Sequence, residues 1–208
     1  MGDPKFPHKT YSTPRHPWQK DRIDAEKELL VKFGLKNKRE LWKGMEQLKS
    51  FRSQARDLQA RMRVNDPNSE KQFQALIQRL SRYNILSHNA TLDDVLSLSI
   101  DDILSRRLQT IVFRKNLART LKQARQMITH GHVTLNGRRV TVPGIMVEGH
   151  LEDTIVYHDT SPFTDDLHPV RQVIVNGPMA QGKESAEEEQ EQEEQAGAQE
   201  KKQGGVEK

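Results

Sequence analysis

The hydrophobic period of the chain changes at Gly131, and this change limits the possible folds more than any other feature of the sequence. Before it, apolar residues such as Leu41 and Met45 recur at the three-to-four-residue spacing of an amphipathic helix. After it, two β-branched runs flank Asn136-Gly137, a pair that strongly favours a two-residue hairpin turn. The pattern therefore predicts an α+β fold in which helices come first and a small antiparallel sheet follows.

Helix and strand signals divide the chain more finely. Apolar spacing and capping residues predict helices at about 21–33, 38–64, 70–83, 100–114 and 121–130, with a short one starting near 92. Thr91 with Asp94, and Ser99 with Asp102, have the spacing of capping boxes. Strands are predicted in the hairpin 132–142 and at 153–157 and 172–175. The first hundred residues are therefore expected to be entirely helical.

Composition excludes several classes of protein. Hydrophobic residues make up only 34% of the 208-residue chain and charged residues 30%, so the core is expected to be small. The absence of cysteine removes disulfides, thiol nucleophiles and Cys-based zinc sites. No stretch approaches the roughly 18 apolar residues of a membrane span, and the N-terminal segment lacks the apolar core of a secretory signal. We therefore expect a soluble cytoplasmic protein with no membrane partner.

Charge and proline content predict four segments. These are an extended basic Pro-rich arm at 1–20, a helical domain at 21–99, a helix–helix–β-hairpin module with C-terminal strands at 100–177, and a disordered acidic tail at 178–208. Residues 183–208 carry nine Glu and four Lys, whereas residues 1–182 have a net charge of +9. Such a basic body favours a polyanionic partner such as nucleic acid, although the cations could also serve only solubility.

A stretch of 42 residues, Arg106–Val147, contains no acidic residue although the chain has 29 of them. It carries nine Lys or Arg residues together with His130 and His132. Carboxylates that faced phosphates would repel them, so a phosphate-binding surface explains this gap. The alternative is a solvated basic face, which ordinarily tolerates interspersed acids. In the arm, Trp18 lies among cations, a mixture suited to stacking on RNA, and the alternative there is a plain disordered terminus.

The order of residues in this stretch resembles the S4 RNA-binding fold. The elements that carry the resemblance are Ala124-Arg125-Gln126, Gly131-His132-Val133 and Asn136-Gly137, at their mutual spacing. The arm, the helical region and the segment 153–155 extend the resemblance to the small-subunit ribosomal protein S4 family in its archaeal form, over nearly everything before the tail. The chain departs from that family at Asn116, where Gly is common, and at Arg119, Leu121 and Lys122. Without cysteine it also lacks the zinc knuckle of some bacterial members.

The resemblance implies a protein that binds small-subunit ribosomal RNA, nucleates assembly of the subunit body and contributes to translational accuracy beside neighbouring ribosomal proteins. It implies neither a cofactor nor a metal, neither catalytic residues nor a homo-oligomer. The candidate RNA-binding residues are Arg106, Arg107, Arg114, Lys115, Arg119, Lys122, Arg125, Gln126, His130, His132, Arg138 and Arg139 in the module, with Lys9, Arg15 and Trp18 in the arm.

Two other functions remain open at this point. An RNA-modifying enzyme could carry the module as an accessory domain, but it would need a catalytic domain of ordinary size. The sequence shows neither a phosphate-binding Gly-rich loop nor a third ligand beside His130 and His132. A free-standing RNA chaperone would need the module without the large helical domain or the arm. Those two segments therefore favour the ribosomal interpretation.

Overall fold

A computed structural model of the chain describes residues 9–175 apart from Asn65 and Asp166. The first eight residues of the predicted arm and the predicted acidic tail lie outside the described residues. The helices are α1 (Lys20–Lys32), α2 (Lys38–Arg63), α3 (Ser69–Arg82), α4 (Leu92–Ser97), α5 (Ile100–Ser105), α6 (Leu108–Arg114), α7 (Leu121–Thr129) and α8 (Pro169–Val175). The strands are β1 (Val133–Leu135), β2 (Arg138–Arg139) and β3 (Val156–Tyr157).

The long helix α2 organises the N-terminal half. Its apolar side buries Leu48, Phe51 and Leu58 against α3 and the short helices α4 and α5. The predicted capping boxes are confirmed, because the carboxylates of Asp94 and Asp102 accept hydrogen bonds from the backbone N–H groups of the N-cap residues. These caps satisfy N–H groups that a helix start otherwise leaves unpaired. Short helices of six residues therefore begin at fixed positions on one side of α2.

The second half is built on α6, α7 and a three-stranded antiparallel sheet in the order β2-β1-β3. Thr134 pairs with Arg139 on one side of β1, and Val133 pairs with Tyr157 on the other. The two helices cover one face of this sheet with fully buried side chains, among them Ile111 and Ile128. The α+β fold predicted from the sequence is confirmed. In the described part of the chain, none of the helices is both long and apolar enough to cross a membrane.

The hairpin turn has the predicted geometry. Asn136 and Gly137 have φ angles of +51° and +71°, so both central residues of the turn are left-handed, as in a type I′ turn. A Cβ added at Gly137 would meet nothing within 4 Å. The requirement for glycine there is therefore a matter of backbone conformation and not of space.

Replacing Gly137 with valine is expected to destabilise the protein by about 1–2 kcal/mol, because a β-branched residue is strained in the left-handed region. Thermal or urea unfolding followed by circular dichroism measures the change. Thr141→Val is the matched control, since it places valine at an exposed position on the same hairpin without a positive φ angle. If both variants unfold alike, the turn does not depend on glycine.

The predicted single helix 100–114 is wrong, because the chain breaks between α5 and α6. Arg107 adopts an extended conformation, with φ −74° and ψ 143°, and forms a β-bridge with Met146. The N–H of Leu108 donates to the carbonyl of Ile145 at 2.8 Å, and the N–H of Val147 donates to the carbonyl of Arg106 at 3.0 Å. The segment 145–147 thus hydrogen-bonds to backbone groups that a continuous helix would pair internally.

Two strand predictions are also corrected. Of 153–157 only Val156–Tyr157 is a strand, since Gly149–Thr154 forms a short 3₁₀ helix. The segment 172–175 belongs to α8, which starts at Pro169. Proline is well suited to the first turn of a helix, and the β-branched run that suggested a strand is instead the rest of that helix.

The described part of the arm, residues 9–19, contains neither helix nor strand and lies against α1 and α2. The ring of Tyr11 lies 6.0 Å from that of Trp42, centroid to centroid, and the hydroxyl of Ser12 donates to Glu46 at 2.7 Å. Arg22 of α1 donates to the carbonyls of His16 and Pro17. These contacts hold the described part of the arm against α1 and α2.

Candidate nucleic-acid interface

The predicted site residues fall into two groups in the structure. The members with exposed side chains are Lys9, Arg15, Trp18, Arg114, Arg119, Lys122, Gln126, His130, Arg138 and Arg139. The members that are buried or half-buried are Arg106, Arg107, Lys115, Arg125 and His132. The two groups have different partners and therefore different capacities to bind an anion.

Helix α7 carries part of the exposed group. Thr120 caps the helix by accepting a hydrogen bond from the N–H of Gln123, whose side chain in turn accepts from the N–H of Arg119 at 2.8 Å. The helix buries Ala124 and Ile128 against the sheet, as its apolar spacing predicts. Arg119, before the helix, and Lys122, on its first turn, are therefore exposed at a rigidly capped helix start.

The hairpin carries the other exposed cations on β2. The guanidinium of Arg139 donates to the carbonyl of His130 at 2.8 Å and so ties the hairpin to the end of α7. Gly131, with φ +75°, lies directly beneath this guanidinium, and a Cβ there would be 2.0 Å from its Nε. Within the described ranges, no carboxylate lies within 4 Å of the side-chain nitrogens of Lys122 or Arg138. We name the four side chains Arg119, Lys122, Arg138 and Arg139 the module cations.

Lys115 has an acidic neighbour from outside the acid-free stretch. Its ammonium lies 3.3 Å from the carboxylate of Asp153, whose side chain is 97% exposed. An ion pair this exposed contributes little to stability, and solvent and salt compete with it. Lys115 can therefore exchange this partner for a phosphate at small cost.

Arg106, Arg107 and Arg125 have carboxylate partners that the sequence did not reveal. Arg106 is 7% exposed and binds Glu152 at 2.8 Å. Arg107 is 9% exposed and binds Glu40 at 2.9 Å, while Arg125 binds the other oxygen of Glu40 at 2.5 Å. Two carboxylates thus serve three guanidinium groups, which leaves one positive charge in excess. The prediction that they contact nucleic acid stays a prediction.

Glu40, Arg107, Arg125 and Gln109 form what we call the clamp, since Glu40 lies on α2 and the other three lie on or beside α6 and α7. Gln109 is 1% exposed. Its Nε2 donates to the carbonyls of Gly34 and Leu121, both at 2.9 Å, and its Oε1 accepts from Arg125 at 3.3 Å. The clamp thus joins the α1–α2 loop, α2 and α7 in one hydrogen-bonded network.

The clamp also sets the charge state of Glu40. Burial alone raises the pKa of this carboxyl, but the hydrogen bond from Arg125 and the charges of Arg107 and Arg125 outweigh it. The net effect is a pKa below the ordinary value of 4.5, so Glu40 is ionised at neutral pH. Burial lowers the pKa of Arg107, and the charge of Glu40 opposes that shift. The carboxylate and guanidinium charges are therefore retained because they compensate each other.

Sequence reasoning missed Glu40 and Gln109. Gln109 gave a usable signal, since it is a polar residue next to Leu108 in the apolar run of α6. Glu40 gave none, because it looks like an ordinary acid in the first turn of a helix. Only the tertiary fold brings it to arginines 67 and 85 positions away.

His130 and His132 pack as part of the module. Their ring centroids lie 6.4 Å apart, and the rings of His132 and Phe163 pack at an angle of 75° with centroids 4.9 Å apart. Burial, followed by the positive charges of His130 and Arg139, lowers the pKa of His132, so its ring is neutral at pH 7. Within 9–175, apart from the two undescribed positions, no group of three His, Asp or Glu residues is arranged to hold a metal ion.

Comparison with known proteins gives one family and several close relatives. The model of a family described as the S4 domain matches residues 106–154. A protein of Thermoplasma volcanium named small ribosomal subunit protein uS4 is 61% identical over 200 residues, covering 96% of this chain and all of the relative. Proteins of the same name from Thermoplasma acidophilum and Picrophilus torridus are 61% and 66% identical, covering 90% and 82% of this chain and 92% and 93% of their own lengths.

Proposed function

The chain belongs to the uS4 family of small ribosomal subunit proteins, and from this premise we propose that it is a structural constituent of the small ribosomal subunit that binds ribosomal RNA. The observation that carries the RNA-binding part is the set of module cations, which stand exposed on rigid elements. The acid-free stretch around them keeps carboxylates away from an approaching phosphate backbone. The proposed role is that of a binding protein and not of an enzyme.

The proposed mode of binding is recognition of RNA shape. An A-form duplex hides its base edges in a deep, narrow groove, so a protein recognises it through the spacing of phosphates and 2′-hydroxyls. Cations on a capped helix and a type I′ hairpin can keep a fixed spacing because neither support bends freely. Gln126 and His130, exposed on the same side of α7, would add hydrogen bonds at the same surface.

Arg106, Arg107 and Arg125 have a different role in this proposal. Arg106 is bound by Glu152, so its release to a phosphate would leave that carboxylate without its arginine. Release of Arg107 or Arg125 would remove one of the two guanidinium groups that hold Glu40. We assign them to holding α6 and α7 in place. The RNA surface then consists of Lys115 and the exposed group, in which the described part of the arm supplies Lys9, Arg15 and Trp18.

The arm is proposed to reach RNA beyond the globular part. The side chain of Trp18 is 89% exposed, which is unusual for a large aromatic residue and suits stacking on an unpaired base. We further propose that the helical domain and the module bind together early in assembly of the subunit body. Neighbouring ribosomal proteins would then join this complex, and through them the protein would influence translational accuracy.

The proposal predicts that the full-length protein sediments with the small ribosomal subunit in sucrose gradients at low magnesium concentration, where the subunits separate. Immunoblotting of the fractions measures its distribution. A high-salt wash is the control for loose electrostatic association, since binding by shape on several elements survives it better than a few surface contacts. A protein found only in the free pool would contradict the ribosomal role and favour the RNA chaperone.

A further inference from the structure

We infer that the acidic run 184–194 docks on the module cations of the same chain while no RNA is bound, so that RNA must displace it. The run contains seven Glu and neither Lys nor Arg, and it follows the described residues. Its docking needs only this chain and can be measured without RNA. The consequence, a competition with RNA, rests on the proposed function and deepens it by adding a form of regulation.

The first support is the surface on which the run docks. All four module cations are exposed, and no carboxylate of the described residues lies within 4 Å of their side-chain nitrogens. The surrounding stretch 106–147 contains no acid that could repel a glutamate. In the helical part, by contrast, Lys32, Lys38 and Lys49 each bind a carboxylate of α1, α2 or α5. The module cations therefore offer positive charge that no described acid already binds.

The second support is the place at which the chain leaves the described part. Residues 156–175 are fastened to the module. Strand β3 pairs with β1, and the N–H of His158 donates to the carbonyl of His132 at 2.8 Å. In α8, Val170 packs against the core of the module, and the guanidinium of Arg171 lies 4.9 Å from the centroid of the Tyr157 ring. The segment that leads to the acidic run therefore starts from the same unit that carries the module cations.

The third support is distance. Neighbouring strands lie about 4.8 Å apart, so β3, on which α8 rests, and β2, which carries two of the module cations, are roughly 10 Å apart. The residues 176–183 separate α8 from the acidic run and can span up to about 28 Å. The run itself can span up to roughly 36 Å, whereas α7, whose start carries the other two cations, is about 14 Å long. The run can therefore reach the hairpin and the start of α7 at once.

The fourth support is a balance of forces that suits a displaceable contact. Exposed Glu–Arg and Glu–Lys pairs are individually weak and are screened by salt. Because the run is tethered to the module, its effective concentration there is in the millimolar range, which lets several weak pairs form together. A nucleic-acid duplex carries a phosphate about every 2 Å of its axis, against one Glu per roughly 5 Å of the extended run. RNA that fits the module therefore outcompetes the run.

Docking lowers the affinity for every RNA that uses the module cations by the same factor. If the run is docked about nine-tenths of the time, the apparent affinity falls about tenfold. An RNA present well above its Kd stays bound after such a loss, but an RNA present near its Kd is released. The docked run thus protects the module from chance RNA contacts and leaves a tightly bound target in place.

The docking is tested on the full-length protein without RNA. The chain has no cysteine, so Gln190→Cys provides a single site for a nitroxide spin label within the run. At 0.05 M salt the label should broaden the NMR signals of the backbone amides of Lys122 and Arg138, and 0.5 M salt should restore them. The amide of Arg63, at the end of α2, should be unaffected. Chemical reduction of the nitroxide gives the reference spectrum.

Two charge-matched variants of the labelled protein show whether the contact depends on position. Arg119→Ala/Lys122→Ala/Arg138→Ala should remove most of the broadening. The control Arg56→Ala/Arg63→Ala/Lys71→Ala removes the same charge from exposed positions on α2 and α3 and should retain the broadening. Thermal unfolding checks that both variants keep the fold. Absence of broadening in the wild type, or broadening that survives the loss of the module cations, would overturn the inference.

The competition is tested by filter binding. Replacing the seven Glu of the run with Gln keeps its length and removes its charge. At 0.05 M salt this variant should bind both ribosomal RNA and an unrelated RNA about tenfold more tightly than the wild type, and at 0.5 M salt within about twofold, because screening releases the run. The same replacement in the Arg119→Ala/Lys122→Ala/Arg138→Ala background should give little further gain, because the run then has no site to block.

Simple repulsion between the run and RNA, without docking, has a different outcome. It would strengthen binding equally whether or not the module cations are present, and that result would overturn the inference. Unchanged RNA affinity of the seven-Gln variant would overturn it as well. If the triple alanine variant of the module binds ribosomal RNA as tightly as the wild type, the proposed function fails, and the spin-label measurement still decides the docking.

Discussion

Replacing Glu40 with alanine is expected to destabilise the protein by about 2–3 kcal/mol, because it leaves two partly buried guanidinium groups without their counter-charge. Arg107 is 9% exposed and Arg125 20%, so water can only partly replace the lost carboxylate. Urea unfolding followed by circular dichroism measures the loss. Glu46→Ala is the control on the same helix: its partners Ser12 and Lys49 are exposed, and it should leave the unfolding midpoint unchanged. A Glu40→Ala variant as stable as the wild type would show that the clamp does not hold α2 to α6 and α7.

The loss of stability in Glu40→Ala is expected to depend on pH. The pKa of Glu40 in the folded protein lies below its ordinary value of 4.5, so the carboxylate favours folding when it is ionised. Its contribution is fully present above about pH 4.5 and is lost as the pH falls through the lowered folded value. The difference in stability between wild type and Glu40→Ala should therefore be constant from pH 5 to 7 and shrink below that. A difference that grows on acidification would contradict the assigned ion pair.

The effect of Glu40→Ala on RNA separates positioning from simple charge. The substitution removes a negative charge, so electrostatics alone would tighten binding to any RNA. Loss of the clamp would instead let α7 move relative to α2 and loosen the fixed positions of Arg119 and Lys122. We expect specific affinity for ribosomal RNA to fall while affinity for a non-specific RNA rises slightly. Glu40→Gln keeps the size of the side chain and loses its charge. Its specific affinity for ribosomal RNA should lie between those of the wild type and Glu40→Ala.

The features of the fold that could be predicted from the sequence are those determined by neighbouring residues. The hairpin at Asn136-Gly137 follows from the φ angles that a two-residue turn needs, and those are satisfied within the turn itself. The caps at Thr91 and Ser99 likewise involve partners only three residues away. Such features depend little on the rest of the fold, so they could be predicted without knowing it.

Features that depend on distant partners could not be predicted in the same way. The break at Arg107 arises because the segment after the hairpin bonds to Leu108 and Arg106, about forty residues earlier. The strand expected at 172–175 is helical because the same β-branched residues can serve a short helix that starts at Pro169. Local propensity is similar for both outcomes in each case, and tertiary contacts decide between them.

The same distinction between local and distant partners applies to the candidate site. The acid-free stretch correctly marked a cluster of cations, but it could not separate those exposed to solvent from those bound internally. In the structure Glu40 binds Arg107 and Arg125, and Glu152 binds Arg106, so the predicted contacts of these three arginines with RNA stay a prediction. An acid-free stretch rich in Lys and Arg predicts that a surface is positively charged. Which of its members face outward depends on acids elsewhere in the chain.

Reversing the charge of three module cations should have the largest effect on RNA binding. In Arg119→Glu/Lys122→Glu/Arg138→Glu each lost phosphate contact costs about tenfold in affinity at 0.1 M salt, so the triple variant should bind roughly a thousandfold more weakly or worse. Its stability should not fall. The three side chains are exposed, and a glutamate at 119 or 122 lies at the N-terminal end of α7, where the helix dipole favours negative charge.

The matched control reverses three exposed cations on α2 and α3, as Arg56→Glu/Arg63→Glu/Lys71→Glu, and so changes the net charge by the same amount. Filter binding to ribosomal RNA and thermal unfolding are measured on both variants. If the two triple variants lose affinity equally, the RNA responds to overall charge, and the module holds no specific surface. If the control stays within about tenfold of the wild type at 0.1 M salt, as screening over a Debye length of roughly 10 Å predicts, the loss belongs to the positions of the module cations on α7 and the hairpin.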